Sequence, residues 1–532
     1  MEIVFSRLCP GGAAVVYSRS LIRRVALPLP SAPYPSTDSL FMEVLLSFLR
    51  FLGVLLLVVL MFNIMIVVHE WGHFLAGRWR GLYIDRFQVW FGKPIWKKTY
   101  NGVQYGLGSI PAGGFVSLPQ MAPMESIEGR VEGDEPAKPL PPISPLDKII
   151  VAFAGPLFSF LLAVVFAVVV WAVKKPVSEA VGTTTIGSVL KDSPAEKSGI
   201  QVGDTLKKVD GQEVKRFLGM NESIMWTIIS SANKDIEVEL ERPGTGLMKV
   251  TVVRPEAAAE EKIEGGWLRQ AWAYVSRRPA LRTIGIGPMI SPVVADLRKN
   301  GPALDAGFQK GDLIVSIDGK EVHSMDDVSG FPWEAGRAHQ VGVLRKEAAK
   351  TLTVTPRVPE KNGEKPQIGI VMSDEGKRTL VRENPVVQVI DSFNAIVRTL
   401  KAVFTPKSDV KAGHLSGPVG IMGTYYDLFK DPEGWRLALW FSVLLNVNLA
   451  ILNLLPFPVL DGGHITMASY EWLTRRAIPV RFLEVVQTAF VLLLLGFMAF
   501  VTLKDVGDRI PDGEPKDAKP LPEFLPLANK PA

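Results

Sequence analysis

Residues 149–173 run for 25 positions without one charged side chain. A helix needs about 17–25 apolar residues to cross the hydrocarbon core. Inside a bilayer every backbone polar group must be satisfied within the protein, which leaves a helix as the fold for such a run. Three more stretches pass the same test: 44–68, interrupted only by Arg50, 437–460 and 485–503. The expected fold is a multi-pass α-helical membrane protein with four transmembrane helices. Gly155-Pro156 interrupts the second run, and Pro456 and Pro458 break the third. Such breaks are tolerated where neighbouring protein or a polar cavity satisfies the freed backbone groups.

Composition narrows the partners. Hydrophobic residues make up 47% of the 532, so sizeable soluble parts must accompany the spans. The net charge of +5 is small for this length and does not suggest nucleic-acid binding; the apolar runs make the lipid bilayer the partner. Cys9 is the only cysteine, which excludes an intramolecular disulfide and a cysteine-based zinc site. Arg78, Arg80, Arg86, Lys93, Lys97 and Lys98 follow the first span, and Arg475, Arg476 and Arg481 lie between the third and fourth. Positive loops stay in the cytoplasm, so residues 174–434 are expected outside. The segment 1–41, with four arginines and several prolines, fits that orientation poorly and reads as a disordered extension or a start-site artefact before Met42.

At the cytoplasmic end of the first span stands His69-Glu70-Trp71-Gly72-His73. Residues four apart share a helix face about 6 Å apart along the axis. Both imidazoles can therefore reach one ion at the ~2.0–2.1 Å of zinc–nitrogen bonds. Glu70, one step round, is placed to take a proton from water. Ionisable groups are costly in a bilayer and read as functional by default. A catalytic zinc site needs a third protein ligand. Asp461, in Leu460-Asp461-Gly462-Gly463-His464, follows the third apolar run at the same membrane depth and is read as that ligand.

The outside region repeats itself at an offset of 108 residues. Ser193-Pro194-Ala195, Gly199, Gly203-Asp204 and Asp210-Gly211 recur as Gly301-Pro302-Ala303, Gly307, Gly311-Asp312 and Asp318-Gly319. The Asp-Gly pairs supply turns between short strands. The pattern resembles PDZ domains of the bacterial, circularly permuted type, in two copies over 184–256 and 283–375, which would bind extended peptides by strand addition. After them, Val386, Ile390, Phe393, Val397, Leu400 and Phe404 mark an amphipathic helix. Two placements fit it: the outer membrane surface, or the second PDZ copy.

Together, HEWGH, the Gly155-Pro156 helix, two PDZ copies and Asn453-to-His464 (NLLPFPVLDGGH) resemble the site-2 protease family, in its long bacterial type, over about 42–503. The resemblance implies Zn2+ held by His69, His73 and Asp461, with Glu70 as general base. It implies the bacterial inner membrane, PDZ domains on the periplasmic side, and single-span membrane proteins as substrates, already trimmed on the outside by another protease. It also ties Asn453 to substrate handling. Asn446 and Asn448 are further candidates, with ordinary interhelical hydrogen bonding as the other reading. The turn-rich 105–118 stretch, with Gly106 and Gly108, suits a re-entrant β-hairpin that clamps extended substrate, or a cytoplasmic loop.

The expected division is 42–80 first helix, 81–147 cytoplasmic or re-entrant β region, 148–173 second helix, and the PDZ pair. There follow 385–434 amphipathic and juxtamembrane, 435–461 third helix, 482–503 fourth helix and 504–532 tail. The rival reading is a PDZ-bearing membrane scaffold or chaperone whose metal site is structural, closed by His464, or lost.

Overall fold

The computed structural model describes residues 37–121, 140–255, 266–360, 365–476, 478–510 and 523–525. Most of the 1–41 extension and most of the 504–532 tail lie outside the described residues. Among those described, the helices of ten or more residues are α1 (Thr37–Trp79), α2 (Pro145–Val173), α3 (Trp267–Ser276), α4 (Pro385–Phe404), α5 (Pro418–Lys430), α6 (Gly434–Asn453), α7 (Asp461–Thr474) and α8 (Val480–Arg509). Four of them, α1, α2, α6 and α8, are long and apolar enough to cross a membrane.

α1 does not stop where its apolar run stops. It carries the HEWGH segment within its last turns and closes at Gly81, whose φ of 75° no β-carbon favours. There Leu82 N–H reaches Gly77 O and Gly81 N–H reaches Arg78 O, the paired bonds of a Schellman cap. The third apolar run, by contrast, is not one helix to position 461. α6 ends at Asn453, because Pro456 and Pro458 lack the N–H a helix needs and clash with the preceding turn. Residues 454–460 form turns, and Asp461 opens α7. The expected third span thus divides into a span, a loop and a new helix.

Between α1 and α2, strands β1 (Arg86–Tyr100) and β2 (Val103–Ser117) pair across Asn101-Gly102, both at positive φ as a type I′ hairpin requires. Each strand folds back on itself. Residues 86–89 of β1 lie against 104–107 of β2 on one side and against 114–117 on the other. Phe87, Val116 and Leu118 of this sheet bury against Phe74 of α1 and Val151 and Ala152 of α2. The sheet is fixed to the end of α1 that carries the histidines.

The two repeats have the same sheet. Residues 212–213, 205–209, 235–242 and 246–253 line up in that order, as do 320–321, 313–317, 339–345 and 348–354. In each copy a late strand, Ile286–Pro288 or Ile370–Met372, pairs back onto the first, Ile186–Val189 or Val294–Leu297. Leu206, Ile236, Val238 and Leu240 in one, and Ile314, Ile317, Val341 and Val343 in the other, are fully buried. The Gly-Asp pairs have a common task. Asp204 takes two bonds from Arg242 at 2.8 Å, and Asp312 takes two from Arg345 at 2.7 Å. The ends of the whole insertion are joined, since Lys175–Ser178 pairs with Arg378–Val381 just beyond α2.

α4 departs from one of its two sequence expectations, that of packing on the second repeat. It packs on α2 and α6, with Ile396 buried among Ala163, Ala167, Val443 and Val447. Its last turn meets the first repeat, not the second, through Ala402 against Trp226 and Ile229. Its inward face is the polar and small one, Gln388, Ser392, Ala395 and Thr399, while Val386, Ile390, Phe393 and Val397 are exposed. That inversion is what a lipid surround permits, since apolar side chains gain nothing there by turning inward.

Asp312 gives a direct test of the repeat. Burial alone would raise its carboxyl, but the Arg345 bonds and the Gln309 N–H hold it below the usual carboxylate range. Its contribution is therefore full above about pH 4 and is lost as the pH falls toward the lower folded value. Asp312→Ala takes the carboxylate from Arg345, which keeps its bond to Gly307 O, and is expected to destabilise the second repeat by about 3–5 kcal/mol. Thermal unfolding of the full chain in detergent should show one early transition, and acidification should erase the difference from the parent protein.

Candidate metal centre

The site begins with an unusually close approach of α1 to α2. A β-carbon on Gly72 would lie 2.4 Å from Ala154 O, and one on Gly155 would lie 2.2 Å from His73 Nε2. Only glycine fits at either place. With the helices this near, α2 can hold both imidazoles by their outer nitrogens. His73 Nδ1 lies 2.8 Å from Val151 O, and His69 Nδ1 lies 3.0 Å from Ser159 Oγ. A carbonyl only accepts, so His73 Nδ1 carries the hydrogen and its Nε2 presents a lone pair. Hydrogen-bonding the far nitrogen to fix ring and tautomer is how proteins orient a metal-binding histidine.

Those lone-pair nitrogens face one another and a carboxylate. His69 Nε2 and His73 Nε2 are 3.3 Å apart. Asp461 Oδ2 is 3.3 Å from His69 Nε2, and its Oδ1 is 3.3 Å from His73 Nε2. Three buried acceptors converging in this way repel unless a cation lies among them. The spacing also fits zinc: ligands about 2.0–2.1 Å from a tetrahedral ion sit about 3.3 Å from each other. Among the described residues, these three are the cluster able to hold a metal.

Asp461 arrives by a fold that depends on its two glycines. α7 starts so close beneath the 454–460 loop that a β-carbon on Gly462 would lie 2.3 Å from the carbonyl oxygens of Leu454 and Leu455. One on Gly463 would lie 2.1 Å from Phe457 O. The Leu-Asp-Gly-Gly sequence is therefore a tight joint that aims a carboxylate, and α7 packs on α2 behind it.

Glu70 lies next to the sheet. The Val116 backbone N–H bonds its carboxylate, and Gly114 is close enough that a β-carbon there would touch Glu70 Cγ at 3.8 Å. The 114–117 segment of β2 thus runs past the carboxylate. Gly106 and Gly108 do not: Gly106 pairs with both Gln88 and Lys97 within the sheet, and Gly108 presses on the backbone of Trp90 and Phe91. Asn453 Nδ2 reaches to 3.4 Å from His69 Nε2. Asn446 is fully buried and bonds back to Ser442 O, and Asn448 is buried on the same helix. His464 is buried one turn beyond Asp461 but is not among the three converging donors.

Sequence reasoning missed Ser159, the Val151 carbonyl, Gly72 and the Val116 N–H. Only Ser159 left a signal, as the one hydroxyl in the 25 uncharged residues of α2. Backbone groups leave none.

The sequence profile of Peptidase family M50 matches residues 57–497. The regulator of sigma-E protease RseP of Salmonella typhimurium is 26% identical over 466 residues, covering 82% of this chain and 95% of the relative. Its Escherichia coli counterpart is 26% identical over 485 residues, covering 85% and 98%. Protease RseP of Yersinia pestis is 27% identical over 465 residues, covering 82% and 95%. Among solved structures, the PDZ domain of an SdrC-like protein from Listeria monocytogenes matches 16% of this chain and 88% of its own at 23% identity and a TM-score of 0.15. With the family matched across both halves of the site, the chain belongs to Peptidase family M50 and is an intramembrane zinc metalloprotease of the site-2 type.

Proposed function

We propose that His69, His73 and Asp461 hold one zinc ion per chain, and that Glu70 is the general base in cutting a peptide bond within the transmembrane segment of single-span membrane proteins. The observation behind this is the 3.3 Å set of donors with Glu70 at its side. Held by His69, His73 and Asp461, a zinc ion would supply Lewis acidity for the scissile carbonyl and lower the pKa of water to about 7. Glu70 takes the proton of the attacking water and returns it to the amide nitrogen as the C–N bond breaks. One water is consumed, and a carboxyl and an amine are left. Val116 N–H holds the carboxylate in place for both transfers.

A substrate helix must unwind before its peptide bond can be reached, and its freed amides then need partners. The 114–117 segment beside Glu70 supports strand addition as the way this is met. This moves the clamp from Gly106 and Gly108, whose role is to let the sheet fold tightly, to the neighbouring edge. Asn453, next to His69, is read as holding substrate, and Asn446 and Asn448 as helix-to-helix contacts.

The positive residues after α1 and between α7 and α8 favour a cytoplasmic active-site end, with the repeats on the periplasmic side of a bacterial inner membrane. The repeats are read as PDZ-type domains that bind extended peptides and hold back bulky ectodomains. The enterobacterial relatives are named for the regulation of sigma E, and an anti-sigma factor already shortened outside is read as one substrate, with signal-peptide remnants as another class. The scaffold reading with a structural metal needs a fourth protein ligand, and His464, the candidate for it, is not among the three converging donors.

Co-expression with tagged single-span proteins, including a truncated anti-sigma factor, tests the assignment. Glu70→Gln should lower cleavage at least 100-fold while the purified protein still binds one zinc. Asp461→Ala should lose both. Equal cleavage by Glu70→Gln and the parent would instead support the scaffold.

Ser159→Ala separates orientation from ligation. Freed from its hydroxyl partner, His69 should bind metal about 10–100-fold more weakly, measured by competition with a chelator, while Ser159→Thr retains most of the affinity.

A further inference from the structure

We infer that α3, inserted in the first repeat ahead of its closing strand Ile286–Pro288, lies on the bilayer surface and seats its aromatic face among lipid headgroups. In ten residues α3 carries Trp267, Trp272 and Tyr274. Trp267 is 75% exposed and Tyr274 78%, with Ala271 and Val275 exposed beside them. At 100° per residue, Trp267, Ala271, Tyr274 and Val275 form one stripe, with Trp272 at its margin. The opposite side holds Ala273 and Ser276, both buried. An aromatic side chain buries roughly 150–250 Å² when covered, and no described residue supplies that covering for Trp267 and Tyr274.

The position of α3 identifies that covering. Its small-residue side packs on the end of α8, where a β-carbon on Gly507 would lie 2.5 Å from Ser276 O. Lys504 Nζ donates to Arg277 O at 2.6 Å. Arg278 bonds Asp505 and Asp508, each at 2.6 Å. Asp505 in turn takes the N–H groups of Gly417 and Gly420 at the start of α5, so this joint is tied from three sides. The charged residues 504–509 directly follow the apolar run of α8, which ends at Leu503. They mark the depth at which α8 leaves the hydrocarbon, and α3 is fastened there.

Two other spans end in the same chemistry. Trp171 closes α2 with Arg382 over its ring, and Trp435 opens α6 with Arg436 over its ring; both indoles are exposed. Tryptophan and tyrosine gather where a membrane meets water. α8 has neither at this end, and α3 brings them from outside the spans. An amphipathic helix of this kind lies in the interface with its apolar side about 5–10 Å deep. Through it, the first repeat is held at the membrane surface as well as through the strand Lys175–Ser178 that precedes it.

Site-directed spin labelling tests this in the full-length protein. Cys9→Ser gives a cysteine-free chain, into which Trp267→Cys, Ala271→Cys, Tyr274→Cys or Lys310→Cys is introduced singly. Each is labelled with a nitroxide and reconstituted into phosphatidylcholine–phosphatidylglycerol vesicles. Ala271→Cys removes no aromatic group, and none of the three α3 sites touches the packed side, so the helix keeps its place. Labels at 267, 271 and 274 are expected to meet oxygen more readily than a water-soluble nickel complex. The label at Lys310, on the second repeat, shows the reverse. If the α3 labels meet nickel as readily as the one at Lys310, the face is in water and the proposal fails. Spin–spin broadening between copies, without oxygen preference, would assign the face to a second chain and equally overturn it.

Discussion

Everything at the catalytic end of this protein rests on how closely α1 approaches α2. Gly72 and Gly155 let the backbones meet, and the space left beside Gly155 is filled by the imidazole of His73. Small residues at a contact allow such approach in a membrane, where apolar side chains gain nothing by hiding from lipid. The approach also supplies the outer hydrogen bonds. Val151 O and Ser159 Oγ, two turns apart on α2, reach the two histidines that α1 places one turn apart. A bulkier residue at either glycine would part the helices and release both rings together.

The third donor comes by an independent route with the same economy. α6 ends because its prolines end it, and α7 begins under the resulting loop because Gly462 and Gly463 leave room. The carboxylate is thus held at the head of a packed helix. Two helix pairs and one tight joint bring two imidazole nitrogens and a carboxylate together, each pair of groups meeting at 3.3 Å. None of the three side chains is on a loop free to drift, which suits a site that must keep its geometry with few polar neighbours.

How much of this was legible follows from which groups carry it. The spans, HEWGH, Asp461 and the repeat with its Asp-Gly turns are side-chain patterns, and they stand in the sequence. Asp204 and Asp312 were visible as repeated letters, but their partners Arg242 and Arg345 were not, because those lie on later strands at a different offset. α4 was visible as an amphipathic helix, but its neighbours α2, α6 and the first repeat were not. The rule that apolar residues turn inward belongs to water, and α4 packs beside spans by its small and polar residues. Gly106 and Gly108 drew notice for being glycines, whereas Gly114 and Val116, by Glu70, are set by the register of a doubled-back hairpin that no local pattern encodes.

The outer half raises a different question of stiffness. The first repeat is fastened to the spans at several places. Asn221 Nδ2 bonds Asp391 O on α4 at 2.6 Å, and Trp226 and Ile229 pack on Ala402. Arg254, from the end of its sheet, meets Asp409, which Arg282 also grips. These groups are buried, so parting them would strand charges away from water at a cost of several kcal/mol. The described contacts of the second repeat run elsewhere: Arg357 stacks on Phe524, Asn300 bonds Phe524 O, and Ser291 bonds Glu179 at the root of the insertion. On this distribution of buried charge, the first repeat is the one fastened to the membrane helices through α4 and Asp409.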